Sequence, residues 1–186
     1  MKNTTIAIKF ITLITILTGF LYPVIVTALS QLFFNHNANG KIIFDKKSKC
    51  IGSELIGQDF KDKKYFQGRA SAIGYNPIPS GGSNQSLTNK NLISRISEKS
   101  KEGQNANLIY TSASGLDPHI SPEAALDQVP KIAKERNLNE TEINRLKKLV
   151  QDSIEHRQFK ILGEERINVL LLNLKLDDEF SNQGEK

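Results

Sequence analysis

Apolar positions fall along this chain in two unlike patterns. Residues 10–34 form one run of 25 residues without an Asp, Glu, Lys or Arg. Beyond it, apolar side chains recur at helical or strand spacing among polar ones. As a helix the run reaches roughly 37 Å, enough to cross a hydrocarbon core of about 30 Å with some tilt. A cleaved secretory signal is the rival reading, because Lys2 and Lys9 give a basic start and Ala28-Leu29-Ser30 resembles a cleavage site. A signal's apolar region is about 7–15 residues, so the length favours a retained anchor. A lone span satisfies its own backbone hydrogen bonds but encloses no path for a polar solute. Thr15, Gly19, Pro23 and Thr27 recur every four residues within it. Such small side chains let a partner helix approach closely, and Pro23 alternatively reads as a simple kink.

The pattern predicts short strands over residues 41–44 and 50–56, then a long irregular loop over 68–91, rich in Gly, Ser, Asn and Pro. Leu92, Ile93 and Ile96 predict a short helix ending near Gly103, and residues 108–110 a brief strand. Ser121-Pro122-Glu123 is a helix start: the hydroxyl caps an amide, Pro fits the first turn and Glu suits the positive dipole end. That helix runs toward Arg136, with a kink or early end at Pro130. Asn139 with Glu142 forms a capping box ahead of Ile143, Leu146, Leu149, Val150 and Ile154 at helical spacing. Residues 167–174 read as a buried strand, and a polar tail from Asp177 frays. The expected organisation is a tail (1–9), a transmembrane helix (10–34), one mixed soluble domain (35–176) and a polar C-terminal tail (177–186). The fold class is membrane-anchored α+β or α/β.

Charge changes little. The formal charge of +5 falls to +3 when Lys2 and Lys9 are set aside, and no basic block interleaves with aromatics, so nucleic acid is not an expected partner. Lys41, Lys46, Lys47 and Lys49 follow the span closely, so charge alone does not fix its orientation. Cys50 is the single cysteine, which excludes an internal disulfide framework and reads as a buried or half-exposed thiol.

Candidate chemistry is sparse. Asp117, His119 and Glu123 carry metal-ligating groups, but there is no H-E-x-x-H spacing, and acids at a helix start usually cap it. Ser80, Gly81, Gly82 and Ser83 could turn backbone amides toward a phosphate, yet they lack the spacing and lysine of a P-loop. No G-x-S-x-G is present, so neither a catalytic residue nor a firmly bound cofactor is expected. His156, beside Arg157 at the end of a helical pattern, reads as structural. A stand-alone anchored enzyme or solute-binding domain is the alternative from another class.

Several stretches, in order along the chain, resemble one family. They are Gly52-Ser53-Glu54-Leu55-Ile56-Gly57-Gln58, Tyr65-Phe66-Gln67-Gly68-Arg69, Ser80-Gly81-Gly82-Ser83-Asn84, Ser112-Ala113-Ser114-Gly115-Leu116-Asp117-Pro118-His119-Ile120-Ser121-Pro122 and Arg166-Ile167-Asn168-Val169-Leu170. They look like the C subunit of the bacterial Kdp potassium-transporting P-type ATPase, KdpC. The resemblance implies a bacterial membrane complex in which an A subunit provides the potassium path, a B subunit hydrolyses ATP and a small F subunit completes the assembly. It implies a non-catalytic C subunit that stabilises assembly and raises the ATP affinity of the B subunit as a catalytic chaperone. ATP would then be reached only through that complex, near Ser80-Gly81-Gly82-Ser83 if at all. The soluble domain is expected on the outer side of the membrane, among lipid and the A subunit. Arg69, Asn84, Asp117 and His119 are the expected loop contacts. The chain departs from the family's usual pattern at Gln128-Val129-Pro130-Lys131-Ile132-Ala133.

Overall fold

The computed structural model describes residues 2–45, 47–101 and 105–180, and the chain divides into two compact units, Met1–Ile42 and Ile43–Lys186.

In the first unit, one continuous helical stretch, Lys2–Phe33, is long and apolar enough to cross a membrane. It comprises α1 (Lys2–Ile16), a π turn (Leu17–Leu21) and α2 (Tyr22–Phe33), followed by the short α3 (Asn35–Ala38). The π turn has a local cause. Pro23 has no N–H and its ring crowds the carbonyl four residues back. The chain widens just before it, and the Tyr22 amide donates to Leu17, five residues earlier. The expected kink is therefore a wide turn. On a uniform α-helix a four-residue spacing drifts, leaving Thr27 roughly 120° around the axis from Thr15; the wide turn cuts this to roughly 30°. Thr15, Gly19, Pro23 and Thr27 thus lie closer to one face than the spacing alone gives.

The second unit is α+β, and its helices dominate. β1 (Ile42–Phe44) and β2 (Cys50–Ser53) form one two-stranded sheet. Cys50 is exposed, which corrects its reading as a buried or half-exposed thiol. Residues 54–89 hold no helix or strand, and α4 (Lys90–Lys101) follows. Its expected end at Gly103 lies outside the described residues. The expected strand at 108–110 is instead α5 (Ala106–Ile109), a single helical turn started by Asn105, whose side chain accepts the Asn107 amide. So short a turn has no room to display a helical period.

β3 (His119–Ile120) pairs antiparallel with β4 (Ile167–Asn168), His119 facing Asn168 and Ile120 facing Ile167. Ser121 caps α6 (Pro122–Leu126) through the Ala124 amide at 3.2 Å. The helix breaks at Asp127–Gln128, before the proline. Pro130 then sits in the first turn of α7 (Val129–Glu135), where no amide is required. The capping box of α8 (Glu140–Gln151) forms as the sequence indicates: the Glu142 amide donates to Asn139 at 3.0 Å, and Glu142 accepts the Asn139 amide at 2.8 Å.

The expected strand over 167–174 is two strand residues and then a helix, α9 (Val169–Phe180). It continues through Asp177–Phe180, where the sequence reading places a fraying tail; residues 181–186 lie outside the described residues. Its buried positions are Val169, Leu170, Leu172, Asn173, Leu176 and Phe180, and all but Leu170 follow a helical stripe. Leu170, Leu171 and Leu174 fill the gaps, so the period is hidden in the sequence. Asn168 starts the helix by accepting the Leu171 amide at 3.2 Å. α7, α8 and α9 pack around one core with Phe66, Ile120, Val129, Ile132, Leu146, Val150 and Ile167 at its centre.

Side-chain amides bind irregular chain to this core. Asn173 is buried on α9; its Oδ1 accepts the Phe66 amide and its Nδ2 donates to the Phe66 carbonyl, both at 2.9 Å. Gln128 does the same for Gln67, accepting its amide at 2.8 Å and donating to its carbonyl at 3.2 Å. Asn168 donates to the Glu54 carbonyl at 2.8 Å. Arg136 and the Tyr65 hydroxyl share Asp177, at 2.7 and 2.8 Å, fastening the end of α9 to the start of the loop.

Asn173→Leu keeps the number and branching of side-chain heavy atoms but leaves both backbone groups of Phe66 unpaired inside the core. Chemical denaturation of the full chain should show a loss of about 2–4 kcal/mol. A loss below about 1 kcal/mol would mean that water takes over both bonds.

Candidate functional site

The segment between α5 and α6, residues 110–121, is the seam on which three irregular stretches converge. Ser112 is its hub. The buried hydroxyl accepts the amides of Gly115 and Asp117 at 3.1 and 3.3 Å, while the Ser112 amide donates to Ala70 at 2.9 Å. The Gly57 amide donates to the Leu116 carbonyl at 2.7 Å. A Cβ on Gly57 would lie 2.7 Å from the Asp117 carbonyl oxygen, and one on Gly82 would lie 2.8 Å from that of Ala113. Backbone meets backbone at both points, so only glycine fits there.

This packing decides where the sequence-derived candidates lie. Within Ser80, Gly81, Gly82 and Ser83, the Gly81 amide donates to the Ser114 carbonyl at 3.0 Å, and the Ser83 hydroxyl pairs with Thr111 at 3.0 Å. Gly82, Ser83 and the exposed Asn84, at φ 50°, border a cavity of about 260 Å³ together with Arg95 and Thr111. Nε and Nη2 of Arg95 and Oε1 of Gln85 are shielded there without hydrogen-bond partners.

Arg69, Asp117 and His119 come together on a second cavity, of about 580 Å³, which also meets Tyr110, Arg166 and Glu164. Arg69 reaches Asp117 at 3.1 Å and the Thr111 carbonyl at 3.2 Å, and its own carbonyl accepts the Tyr75 hydroxyl at 2.8 Å. Asp117 accepts the His119 amide at 3.0 Å. The His119 ring lies 3.7 Å from Asp117 and 4.0 Å from Glu155, and Glu155 accepts from Arg166 at 2.9 Å. The result is a line of polar groups in which Arg69, Asp117, the His119 ring, Glu155 and Arg166 follow one another. Asn84 stands apart, on the smaller cavity. Glu123 lies in the first turn of α6, and among the described residues no three His, Cys, Asp or Glu side chains group as a metal site.

Glu155 went unmarked in the sequence, and Arg166 was singled out only as part of a family-like stretch, not as a site residue. They meet through an antiparallel bridge, each amide donating to the other's carbonyl at 2.8 and 3.2 Å, far along the chain from residue 117. No spacing signals that meeting. Tyr110 and Arg95, which border the cavities, were likewise unmarked.

Half-burial of the Asp117 carboxyl opposes its charge. The His119 ring and amide, and then Arg69, outweigh that and lower the group to about 2. A folded value below the unfolded one, about 3.9, stabilises the fold above that higher value, and the gain vanishes as pH falls through about 2. Asp117→Asn should therefore be less stable than the wild type near neutral pH by about 1 kcal/mol, after discounting for solvent screening of a partly exposed pair. Denaturant titrations should show the gap closing between about pH 4 and pH 2. A gap constant with pH would mean that the carboxylate charge contributes nothing.

Comparison with known proteins supplies the family. The model of the family described as "KdpC: K+-transporting ATPase, c chain" matches residues 4–178. Among relatives named potassium-transporting ATPase KdpC subunit, that of Geotalea uraniireducens is 46% identical over 188 residues, covering 95% of this chain and 98% of its own. That of Methylococcus capsulatus is 47% identical over 176 residues, covering 88% and 90%, and that of Leptospira interrogans 42% over 184, covering 94% and 93%. The match runs through the membrane-length helix, the amide-clamped loops and the seam alike, and the chain belongs to the KdpC family, as a component of a Kdp potassium-transporting complex.

Proposed function

We propose that the chain is the non-catalytic accessory subunit of a high-affinity, ATP-driven potassium importer. It stabilises the assembly of the potassium-path A subunit, the ATP-hydrolysing B subunit and the small F subunit, and raises the ATP affinity of the B subunit. The observation that carries this reading is the near full-length likeness to potassium-transporting ATPase subunits in a chain whose described residues include one membrane-length helix. One helix cannot shield an ion from lipid, so transport needs the other subunits. The face bearing Thr15, Gly19, Pro23 and Thr27 is the surface offered to a partner helix.

The effect on ATP is transmitted through the complex, with the soluble unit on the outer side of the membrane. In support, the Gly81 amide and the Ser83 hydroxyl of the nucleotide candidate already have partners within the chain. Arg69, Asp117 and His119 then act as a preorganised polar face toward a partner, with Asn84 on the neighbouring cavity.

Deleting the gene from a strain with no other high-affinity uptake system should abolish growth at micromolar potassium, and plasmid expression should restore it. Unchanged growth rejects the subunit reading. In the purified complex, omission of this chain should raise KM for ATP more than it lowers kcat; an unaltered KM leaves assembly alone as its role. Protease added to inside-out vesicles should spare residues 43–180, and cleavage there would place the soluble unit on the ATP side.

A further inference from the structure

All but one of the second unit's arginines have a ready partner. Arg69, Arg136, Arg145 and Arg166 meet the carboxylates of Asp117, Asp177, Glu179 and Glu155 in turn, at 2.7–3.2 Å, and Arg157 is exposed to water. Arg95, on α4, has neither. Its Nε and Nη2 are shielded from solvent and have no hydrogen-bond partner. These two nitrogens form one edge of the guanidinium, and their N–H bonds point side by side at the spacing of the two oxygens of a carboxylate.

Arg95 borders the cavity of about 260 Å³. No Asp or Glu borders it, so among the described residues the guanidinium is the one formal charge on its wall. Ser83 and Thr111 add hydroxyls, which pair with each other at 3.0 Å and so use one of their two protons. The other is left to donate. A shielded cation without a partner is costly, and the chain supplies none for this edge.

We propose that the cavity is a binding site for one carboxylate group, held side-on by Nε and Nη2 of Arg95, with a hydroxyl of Ser83 or Thr111 donating to one of its oxygens. Because Arg95 borders the cavity, a change of side-chain rotamer turns that edge into it. Oε1 of Gln85 is shielded and unpaired as well, and a half-turn of its amide presents the NH2 to the anion instead. One cation matches one negative charge. A phosphate carries nearly two charges and three acceptor oxygens, which a single guanidinium leaves partly unmatched. The volume is below the roughly 300–1,000 Å³ of sites for whole drug-sized ligands, so it suits a small acid or the end of an Asp or Glu side chain. The site is complete within this chain and does not depend on the subunit reading above.

The test uses the full chain in detergent with 15N-labelled arginine. Acetate replacing chloride at fixed ionic strength should move the Nε–H signal of Arg95, identified by its absence from Arg95→Met, along a saturating curve, while those of Arg69 and Arg166 stay in place. Acetate should also raise the thermal midpoint. Arg95→Lys, which keeps the charge but loses the paired edge, should need about ten-fold more acetate for the same rise. Arg95→Met, which keeps an aliphatic stem, should unfold at the wild-type midpoint without acetate and gain nothing from it. In the assembled complex a carbodiimide, which condenses an amine with a carboxylate in contact, separates the two sources of the group. An amide link from the Arg95→Lys chain at position 95 to an Asp or Glu of another subunit assigns the carboxylate to that subunit; acetate binding by the isolated chain without such a link assigns it to a free acid. A signal that stays still, or that moves equally in chloride, overturns the proposal. So does tighter binding of inorganic phosphate than of acetate. A midpoint of Arg95→Met below the wild-type value overturns it too, by making Arg95 a packing residue.

Discussion

The soluble unit depends on side-chain amides standing where a sheet ladder would otherwise be. Backbone N–H and C=O groups taken into a core must find partners, and the stretch from residue 54 to residue 89 has no strand beside it to provide them. Asn173 and Gln128, on α9 and at the start of α7, each give one acceptor and one donor to a single residue of that stretch, Phe66 and Gln67. Phe66 can then bury its ring completely while its backbone stays satisfied. Without these two amides the burial of Phe66 would leave backbone groups unpaired in the core.

The site follows from that anchoring. Arg69 lies two residues beyond the second clamp, so its guanidinium is delivered to Asp117 and Thr111 by a chain already fixed at 66–67. From the other side, Ser112 gathers the turn that aims Asp117, and β3–β4 pairing sets His119 within reach of Glu155. The polar face is thus assembled from groups far apart in sequence and held in place by backbone and side-chain hydrogen bonds. Such an arrangement suits recognition. Rigid presentation lowers the ordering cost of binding.

Legibility in the sequence tracked how local each determinant is. The capping box at Asn139 and Glu142 and the start at Ser121 use partners three residues apart, and both formed as read. α9 was misread because burial on several sides erased its period, and α5 because four residues show none. The break at Asp127–Gln128 came before Pro130, since a proline opens a helix more readily than it ends one. Arg69, Asp117 and His119, named from motif match and loop position as separate contact candidates, share a cavity through packing that the sequence does not show. Asn84 belongs elsewhere, because the Gly82 contact with Ala113 carries its loop to the far side of Tyr110. Glu155 and Arg166 depend on a long-range bridge that no spacing rule anticipates.

The Asn173 clamp also sets how this domain ages. Slow hydrolysis of a side-chain amide to an acid, an ordinary chemical lesion of asparagine, would leave a group that still accepts from the Phe66 amide but, once ionised, has nothing to donate to its carbonyl. The lesion would set an anion against a carbonyl oxygen inside the core. The bulky Leu174 that follows slows the ring closure through which such damage begins, and burial in α9 slows it further.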